Sequence, residues 1–138
     1  MTKVQEIMHC DFAHVPPWAS VVEVACKMAD FDINLVPVCD NGKFKGVVKE
    51  RDITAFIAAT GDNPTKEHAV SLVDNSYPMV SPGDSLFDAA RLMADHGIHI
   101  IPVTQNGRLM GLLKLEDMAR VSLVYAAKVL LRAVKGRV

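Results

Sequence analysis

The sequence predicts an α+β protein made of two copies of one small subdomain, packed sheet to sheet about a pseudo-twofold axis. Three observations lead to this prediction. The chain overlays itself after a shift of 65 residues, with 15 identities in 54 ungapped positions between residues 4–57 and 69–122. Each copy contains a helical pattern followed by two strand patterns joined by Asn-Gly. Because a copy of about 60 residues makes a poor core alone, the two are expected to bury their sheet faces together.

The elements of each copy follow from local patterns. The first helix is predicted to begin after Ser20 or Ser85, because a serine oxygen there can accept hydrogen bonds from free helix amides. Apolar residues then keep the spacing of one helical face, at Val21, Val24, Ala25 and Met28 and at Leu86, Ala89, Ala90 and Met93. Asn-Gly predicts a type I′ turn between two strands, and a second helix begins near Glu50. With a strand before the first helix, each copy is predicted as strand, helix, strand, hairpin, strand, helix.

We divide the chain into residues 1–61 as the first motif, 62–68 as a linker, 69–122 as the second motif and 123–138 as a C-terminal extension. The linker region is rich in turn formers. One long helix is predicted from Glu116 to about Lys135, because this stretch has neither proline nor glycine. The helix is apolar on more than one side, so a partner helix is expected against it.

Composition excludes several classes of protein. Half of the 138 residues are apolar, 22% are charged, and the net charge is −1, as in ordinary soluble globular proteins. This charge gives no general argument for nucleic acid or an acidic membrane, and no apolar run approaches the ~18 residues of a membrane span. With no secretory signal over Met1 to Asp11, a cytoplasmic location is expected. Three cysteines without a CxxC motif are expected to be reduced, buried thiols.

No arrangement of residues predicts catalysis. The chain has neither a Gly-x-Ser-x-Gly elbow nor a P-loop. His96 and His99 are close in sequence but lie at a helix–strand junction, which is a weak metal signal. Asp52 and Asp117 hold equivalent positions with separate roles, not those of an acid–base pair. The chain is therefore predicted not to be an enzyme and to require no metal or cofactor.

Two further expectations concern the surface. Basic side chains at 120, 128, 132 and 135 fall within about 120° of one helix, which favours a solvated face over contact with nucleic acid or an acidic partner. Trp18 and Phe31 are expected in the core, with a subunit face as the alternative.

The repeated motifs resemble the tandem pair of CBS (cystathionine-β-synthase-type) domains, the regulatory Bateman module, over residues 4–122. The resemblance rests on the apolar-Pro-Val strands (Val36–Val38 and Ile101–Val103), the Asn-Gly hairpins, and the segments Gly46–Asp52 and Gly111–Asp117. It implies a stand-alone regulatory module that binds adenosine-containing ligands of the AMP, ADP and ATP class in clefts between the copies and signals to a separate partner protein. It also implies a homodimer, with the adenine nucleotide as a regulatory ligand and not a required cofactor.

The resemblance further implies where the ligand would bind. Asp52 and Asp117 would accept hydrogen bonds from ribose hydroxyls. One site would join Asp52 to Val47, Leu86, Ile98 and His99, and the other would join Asp117 to Leu112, Val21, Ile33 and Asn34. The apolar members would enclose the adenine. His99 would reach a phosphate, so its site is expected to take the more anionic ligand. The alternative is that His99 is a surface strand residue.

The chain departs from the family pattern at one position in each copy, where Lys49 and Lys114 replace the usual Thr or Ser. Each ammonium could grip ligand phosphates. Alternatively, each could pair with the aspartate three residues on, Asp52 or Asp117, and fill the cleft, leaving a vestigial site or one that prefers an unphosphorylated ligand. The alternative function is then a structural dimerisation adaptor with empty clefts. A third is a nucleic-acid-associated regulator that uses the basic helix.

Overall fold

The structure of the protein, a computed structural model, describes residues 2–61 and 63–135, apart from the side chains of residues 132–135. The chain divides into two compact units. The first-repeat unit is Ala13–Tyr77, and the second-repeat unit joins residues 2–12 to residues 78–135. The predicted α+β class is confirmed, and residues 2–12 fold with the second repeat. The domain boundaries drawn from the sequence stay a prediction.

The first-repeat unit contains α1 (Val21–Phe31), the antiparallel hairpin of β1 (Leu35–Asp40) and β2 (Lys43–Lys49), and α2 (Glu50–Thr60). The predicted cap is confirmed, because the Ser20 hydroxyl accepts the Glu23 N–H at 3.1 Å. Asn41 and Gly42 both have positive φ, 51° and 82°, as a type I′ turn requires. A short 3-10 helix, Ala69–Leu72, follows α2.

The second-repeat unit reproduces this order with α3 (Leu86–His96), the hairpin of β3 (Ile100–Gln105) and β4 (Arg108–Lys114), and α4 (Leu115–Val121). It also has a 3-10 helix, Val4–Glu6, at the repeat position of Ala69–Leu72, and it adds α5 (Leu123–Lys135) after α4. The register is equivalent in the two hairpins, including the irregularity that follows Val38 in one and Val103 in the other. The core of this unit includes Val4, Leu86, Met93, Ile101, Leu113, Met118 and Val129.

The first predicted strand of each copy is wrong. Each is a single parallel bridge, Val15 with Val38 and Val80 with Val103. A parallel ladder would next use the amide N–H two residues further on, and both copies carry a proline there, Pro17 in the first. Because proline has no N–H, the ladder stops after one residue.

The single long C-terminal helix is also wrong, because Ser122 interrupts it. Its extended backbone (φ −154°, ψ 116°) separates α4 from α5, and its N–H donates to the Met118 carbonyl at 2.7 Å. Serine favours such boundaries, since it can cap a following helix. Arg120 therefore lies on a different helix from Lys128, which breaks the predicted basic stripe. The side chains at 132 and 135 lie outside the described residues.

Two large aromatic residues expected in the core are exposed instead. Trp18 lies in the turn after the Pro16-Pro17 pair and is 66% exposed. Phe31 ends α1, outside the buried face of that helix, with the Lys27 ammonium 5.9 Å from its ring centroid.

The expectation of buried thiols is also wrong for two of the three cysteines. Cys10 lies in a bend and Cys26 on the outer face of α1, and both are exposed. Cys39 is half-buried at the end of β1, and this burial raises the pKa of its thiol.

Candidate functional site

Both candidate ribose-binding aspartates lie in the first turn of a helix that follows a strand directly. β2 ends at Lys49 and α2 begins at Glu50, so that Lys49 is the residue preceding the helix and Asp52 belongs to its first turn. Lys114 and Asp117 have the same places between β4 and α4. A carboxylate is favoured in this turn by the partial positive charge of the helix N-terminus. The lysine and the aspartate are thus held close together in each unit.

In each unit a separate segment pairs with the second hairpin strand beside the lysine and the aspartate. We call it the crossing segment; it contains Asp74 in the first-repeat unit and His9 in the second-repeat unit. Asp74 exchanges two backbone hydrogen bonds with Val47, of 2.8 and 3.1 Å, in the first-repeat unit. His9 does the same with Leu112, at 2.8 and 3.0 Å, in the second-repeat unit. His9 and Asp74 are 65 residues apart, so they occupy the same position of the repeat.

Glycine permits this close crossing in both units. A Cβ atom at Gly46 would lie 2.4 Å from the Asp74 carbonyl oxygen, and one at Gly111 would lie 2.7 Å from that of His9. Gly46 also has φ +137°, a conformation that other residues rarely adopt. The glycine that opens each family motif therefore brings residue 9 or 74 to the lysine and aspartate.

In the first-repeat unit, Lys49 lies between two carboxylates. Its Nζ atom is 3.0 Å from Asp74 Oδ2 and 3.4 Å from Asp52 Oδ2. The other oxygen of Asp74 accepts hydrogen bonds from the Ser76 N–H at 3.0 Å and the Ser76 hydroxyl at 2.8 Å. The hydrogen bond that Lys49 donates to Asp74 raises the pKa of Lys49, against a smaller lowering by burial. Lys49 and then Ser76 lower the pKa of Asp74.

In the second-repeat unit, the crossing segment bonds to the aspartate and not to the lysine. His9 Nε2 lies 2.6 Å from Asp117 Oδ1, and the Lys114 backbone N–H donates to Asp117 Oδ2 at 2.9 Å. Because a carboxylate oxygen only accepts, the imidazole Nε2–H is the donor. The Asp117 side chain is 3% exposed. The Lys114 ammonium points elsewhere, 3.9 Å from the exposed Glu116 carboxylate.

The contacts of the two lysines differ with respect to the pairing alternative. The predicted pairing of Lys49 with Asp52 is present. The corresponding side-chain pairing of Lys114 with Asp117 is absent from the contacts of the described residues, where Lys114 Nζ pairs with Glu116.

The remaining predicted site residues fall into two groups. The apolar ones are mostly buried: Val21, Ile33 and Val47 in the first-repeat unit, and Leu86 and Leu112 in the second-repeat unit. Ile98 is half-buried against the core of its unit. Asn34 and His99 are exposed. The Asn34 backbone carbonyl accepts the N–H of Glu50, the first residue of α2, at 2.9 Å. The His99 backbone carbonyl accepts the N–H of Leu115, the first residue of α4, at the same distance.

Sequence reasoning missed His9, Asp74 and Ser76. A signal existed for the first two, because the 65-residue shift aligns His9 with Asp74 directly after apolar pairs in both copies. Polar residues at one register position of an otherwise apolar segment could have been proposed as neighbours of the site.

A second surface feature is an open groove of about 780 Å³ between α3 and α5 of the second-repeat unit. It is lined by Phe87, Arg91, Asp95, Val124, Ala127, Lys128 and Leu131. The Lys128 ammonium lies 4.4 Å from the centroid of the Phe87 ring, a cation–π distance.

Neither a metal site nor a membrane-spanning helix is present within residues 2–61 and 63–135. No group of three His, Cys, Asp or Glu side chains in that part of the chain is arranged to hold a metal ion. His96 Nδ1 instead lies 3.0 Å from the Leu92 carbonyl, near the end of α3. Across the same residues, every helix is too short or too polar to cross a bilayer.

Comparison with known proteins agrees with this repeat. The profile described as "CBS domain" matches residues 4–59 and again residues 70–124. The CBS domain-containing protein YhcV of Bacillus subtilis is 34% identical over 122 residues, which cover 86% of this chain and 84% of that protein. Hypoxic response protein 1 of Mycobacterium tuberculosis is 28% identical over 121 residues, or 87% of this chain and 85% of that protein.

Solved structures share the fold. The crystal structure of Hypoxic Response Protein I with two coordinated zinc ions has a TM-score of 0.77 and 28% identity, covering 88% of this chain and all of that one. The CBS domain pair of protein MJ0100, in complex with 5′-methylthioadenosine and S-adenosyl-L-methionine, has a TM-score of 0.74 and 23% identity, over 88% of this chain and 95% of that one. CBS pairs are regulatory modules. This chain belongs to the CBS domain family and carries a tandem pair of these domains.

Proposed function

We propose that this chain is a regulatory CBS pair that binds an adenosine-containing ligand, with the ribose held by Asp52, and that a separate partner protein responds. The family match supports the regulatory role. The pair from protein MJ0100 was crystallised with two ligands that both contain adenosine, which supports the ligand class. A ligand can regulate only if it binds one geometry of the protein better than another.

The observation that carries the proposal is the different state of the two aspartates. The Asp52 side chain is 36% exposed, and its ion pair is with Lys49 at 3.4 Å. A ribose hydroxyl could donate to this carboxylate without displacing a buried partner. Asp117 is 3% exposed, and both of its oxygens already accept hydrogen bonds. We therefore expect about one ligand per chain, held through Asp52.

Isothermal titration calorimetry with adenosine, AMP, ADP, ATP, 5′-methylthioadenosine and S-adenosylmethionine tests the proposal. Asp52→Asn should weaken binding of the best ligand by about ten- to a hundredfold, because a hydrogen bond to a charged group contributes about 1.5–3 kcal/mol. Asp117→Asn is the matched control, and it should leave the affinity within about threefold. Absence of heat with all six compounds would contradict the proposal. So would weakening by Asp117→Asn alone.

The alternative function, a structural dimerisation adaptor without a ligand, is favoured by α5. Leu123 and Val124 are 76% and 75% exposed, and Leu131 is also exposed in the groove beside α3. The groove carries both signs of charge, with Lys128 and Asp95 among its lining residues. A second copy would present the same two charges in reverse order, as a twofold interface requires. We therefore propose this face as the interface of the predicted homodimer.

Light scattering after size-exclusion chromatography tests the homodimer. Leu131→Glu should give a monomer, because it places a charge in the groove. Val70→Glu is the control, since Val70 is an equally exposed apolar residue of the first-repeat unit, outside the groove. A monomeric wild-type chain would contradict the interface. A dimer that binds none of the six compounds would favour the adaptor.

A further inference from the structure

We propose that Asp74 sets the ligand selectivity of the first repeat, by engaging Lys49 so that Asp52 binds an adenosine derivative without phosphate in preference to a nucleotide. This inference rests on the function proposed above. It concerns a residue outside the family motif, on the segment that crosses β2. It also opposes the expectation that Lys49 grips a phosphate.

The position of the Asp74 carboxylate is fixed by its surroundings. The Asp74 backbone N–H and carbonyl are both hydrogen-bonded to Val47, which is fully buried. Ser76 donates twice to Oδ1, from its N–H and its hydroxyl. The remaining oxygen, Oδ2, is the one that lies 3.0 Å from Lys49 Nζ. The carboxylate is thus held toward the ammonium before any ligand arrives.

The charges of the cluster disfavour a phosphate. Lys49 contributes one positive charge, while Asp52 and Asp74 contribute two negative charges, so the cluster carries a net charge of −1. A phosphate near Lys49 would have to compete with two carboxylates already within 3.4 Å of Nζ. It would also be repelled by both of them. A neutral or cationic 5′ substituent meets neither obstacle.

The second repeat shows that this arrangement is not a consequence of the motif itself. It has the same lysine and aspartate, but His9 stands where Asp74 stands in the first. There the crossing residue bonds to Asp117, and Lys114 Nζ lies 3.9 Å from an exposed glutamate. The crossing residue therefore bonds to a different member of the pair in each repeat, the lysine in the first and the aspartate in the second.

The test is the ratio of the dissociation constants for AMP and 5′-methylthioadenosine, measured by calorimetry. The wild-type chain should bind 5′-methylthioadenosine at least tenfold more tightly. Asp74→Asn keeps an oxygen for Ser76 but removes the charge, and it should strengthen AMP binding about tenfold while 5′-methylthioadenosine changes less than twofold. A role of Asp74 in folding alone would not move this ratio.

Two variants complete the experiment. Glu50→Gln removes one negative charge from the residue next to Lys49, outside the ion pairs that Lys49 makes, and should leave the ratio within twofold. Asp74→His replaces Asp74→Asn if that variant does not fold by circular dichroism, because the chain itself carries histidine at the equivalent position. An unchanged ratio in the Asp74 variant, or tighter AMP binding by wild type, overturns the selectivity role. Absence of binding of both compounds to every variant overturns this inference, and absence of heat with all six compounds overturns the proposed function as well.

Discussion

The two repeats carry the same lysine and aspartate at the start of a helix, yet the two pairs are engaged in different ways. In the first, Lys49 bridges Asp52 and Asp74. In the second, Asp117 is bonded to His9, and Lys114 turns to Glu116. The motif keeps its glycine, lysine and aspartate in both repeats, while the crossing residue (Asp74 or His9) and the residue two positions after the lysine (Arg51 or Glu116) differ. The difference teaches that the contacts of a duplicated lysine and aspartate depend on the side chains placed around them.

The kind of side chain on the crossing segment explains the difference. Asp74 offers only acceptors, so it recruits the donor of the pair, Lys49. His9 offers an N–H donor, so it recruits the acceptor, Asp117. The consequence is one aspartate that is partly exposed and one that is almost fully buried. The exchange of an acceptor for a donor on the crossing segment thus distinguishes the two aspartates.

The largest expected loss of stability comes from glycine substitutions that push the crossing segments away from their strands. Gly46→Ala should destabilise the protein by about 3 kcal/mol or more, because Cβ would meet the Asp74 carbonyl and φ is +137°. Gly111→Ala should cost less, about 2 kcal/mol, because Cβ would crowd the His9 carbonyl and the Met8 side chain without the added cost of a positive φ. Urea unfolding measures both. Gly83→Ala is the control, since nothing lies within 4 Å of its Cβ position. Equal stability of all three variants would mean that the crossings contribute nothing.

Much of the fold could be predicted from short-range patterns. The caps at Ser20 and Ser85 and the hairpin turns depend on residues within a few positions of each other, and they are confirmed. Asp52 and Asp117 were expected at equivalent positions because the repeat aligns without a gap. Local chemistry and duplication were sufficient for these features.

The arrangement of the candidate site could not be predicted in the same way. The bond between His9 and Asp117 joins residues 108 positions apart, and that between Lys49 and Asp74 joins residues 25 apart. No local pattern specifies such contacts, because they depend on which segment crosses which strand. The single long C-terminal helix failed for a different reason. A search for proline and glycine alone overlooks a serine such as Ser122, which can also begin a new helix.

The second largest effect should come from His9→Ala, at about 1–3 kcal/mol. The substitution leaves Oδ1 of the buried Asp117 without its donor, and an unsatisfied buried group costs about this much. Ser76→Ala is the counterpart in the first repeat, and it should cost less, because Asp74 is more exposed. Chemical denaturation of the two variants gives the comparison. A larger loss for Ser76→Ala would reverse the view that the second repeat has the more structural aspartate.

The smallest effect should come from the lysines themselves. Lys49→Gln should destabilise the protein by about 0.5–1 kcal/mol at pH 7, whereas Lys114→Gln should stay within about 0.3 kcal/mol, because its exposed partner lies 3.9 Å away. Urea unfolding of wild type and both variants measures these differences.

The loss of stability caused by Lys49→Gln should also depend on pH. The pKa of Asp74 is lowered from 3.8, so its contribution is present above about pH 4 and is lost as the pH falls through the lower folded-state value. The pKa of Lys49 is raised from 10.5, so its contribution is present below that pH and is lost as the pH rises through the higher folded-state value. The stability difference between wild type and Lys49→Gln should therefore be largest between about pH 4 and pH 10.5 and should shrink on both sides. A difference that does not change with pH would mean that Lys49 stabilises the first repeat through its aliphatic chain and not through its charge.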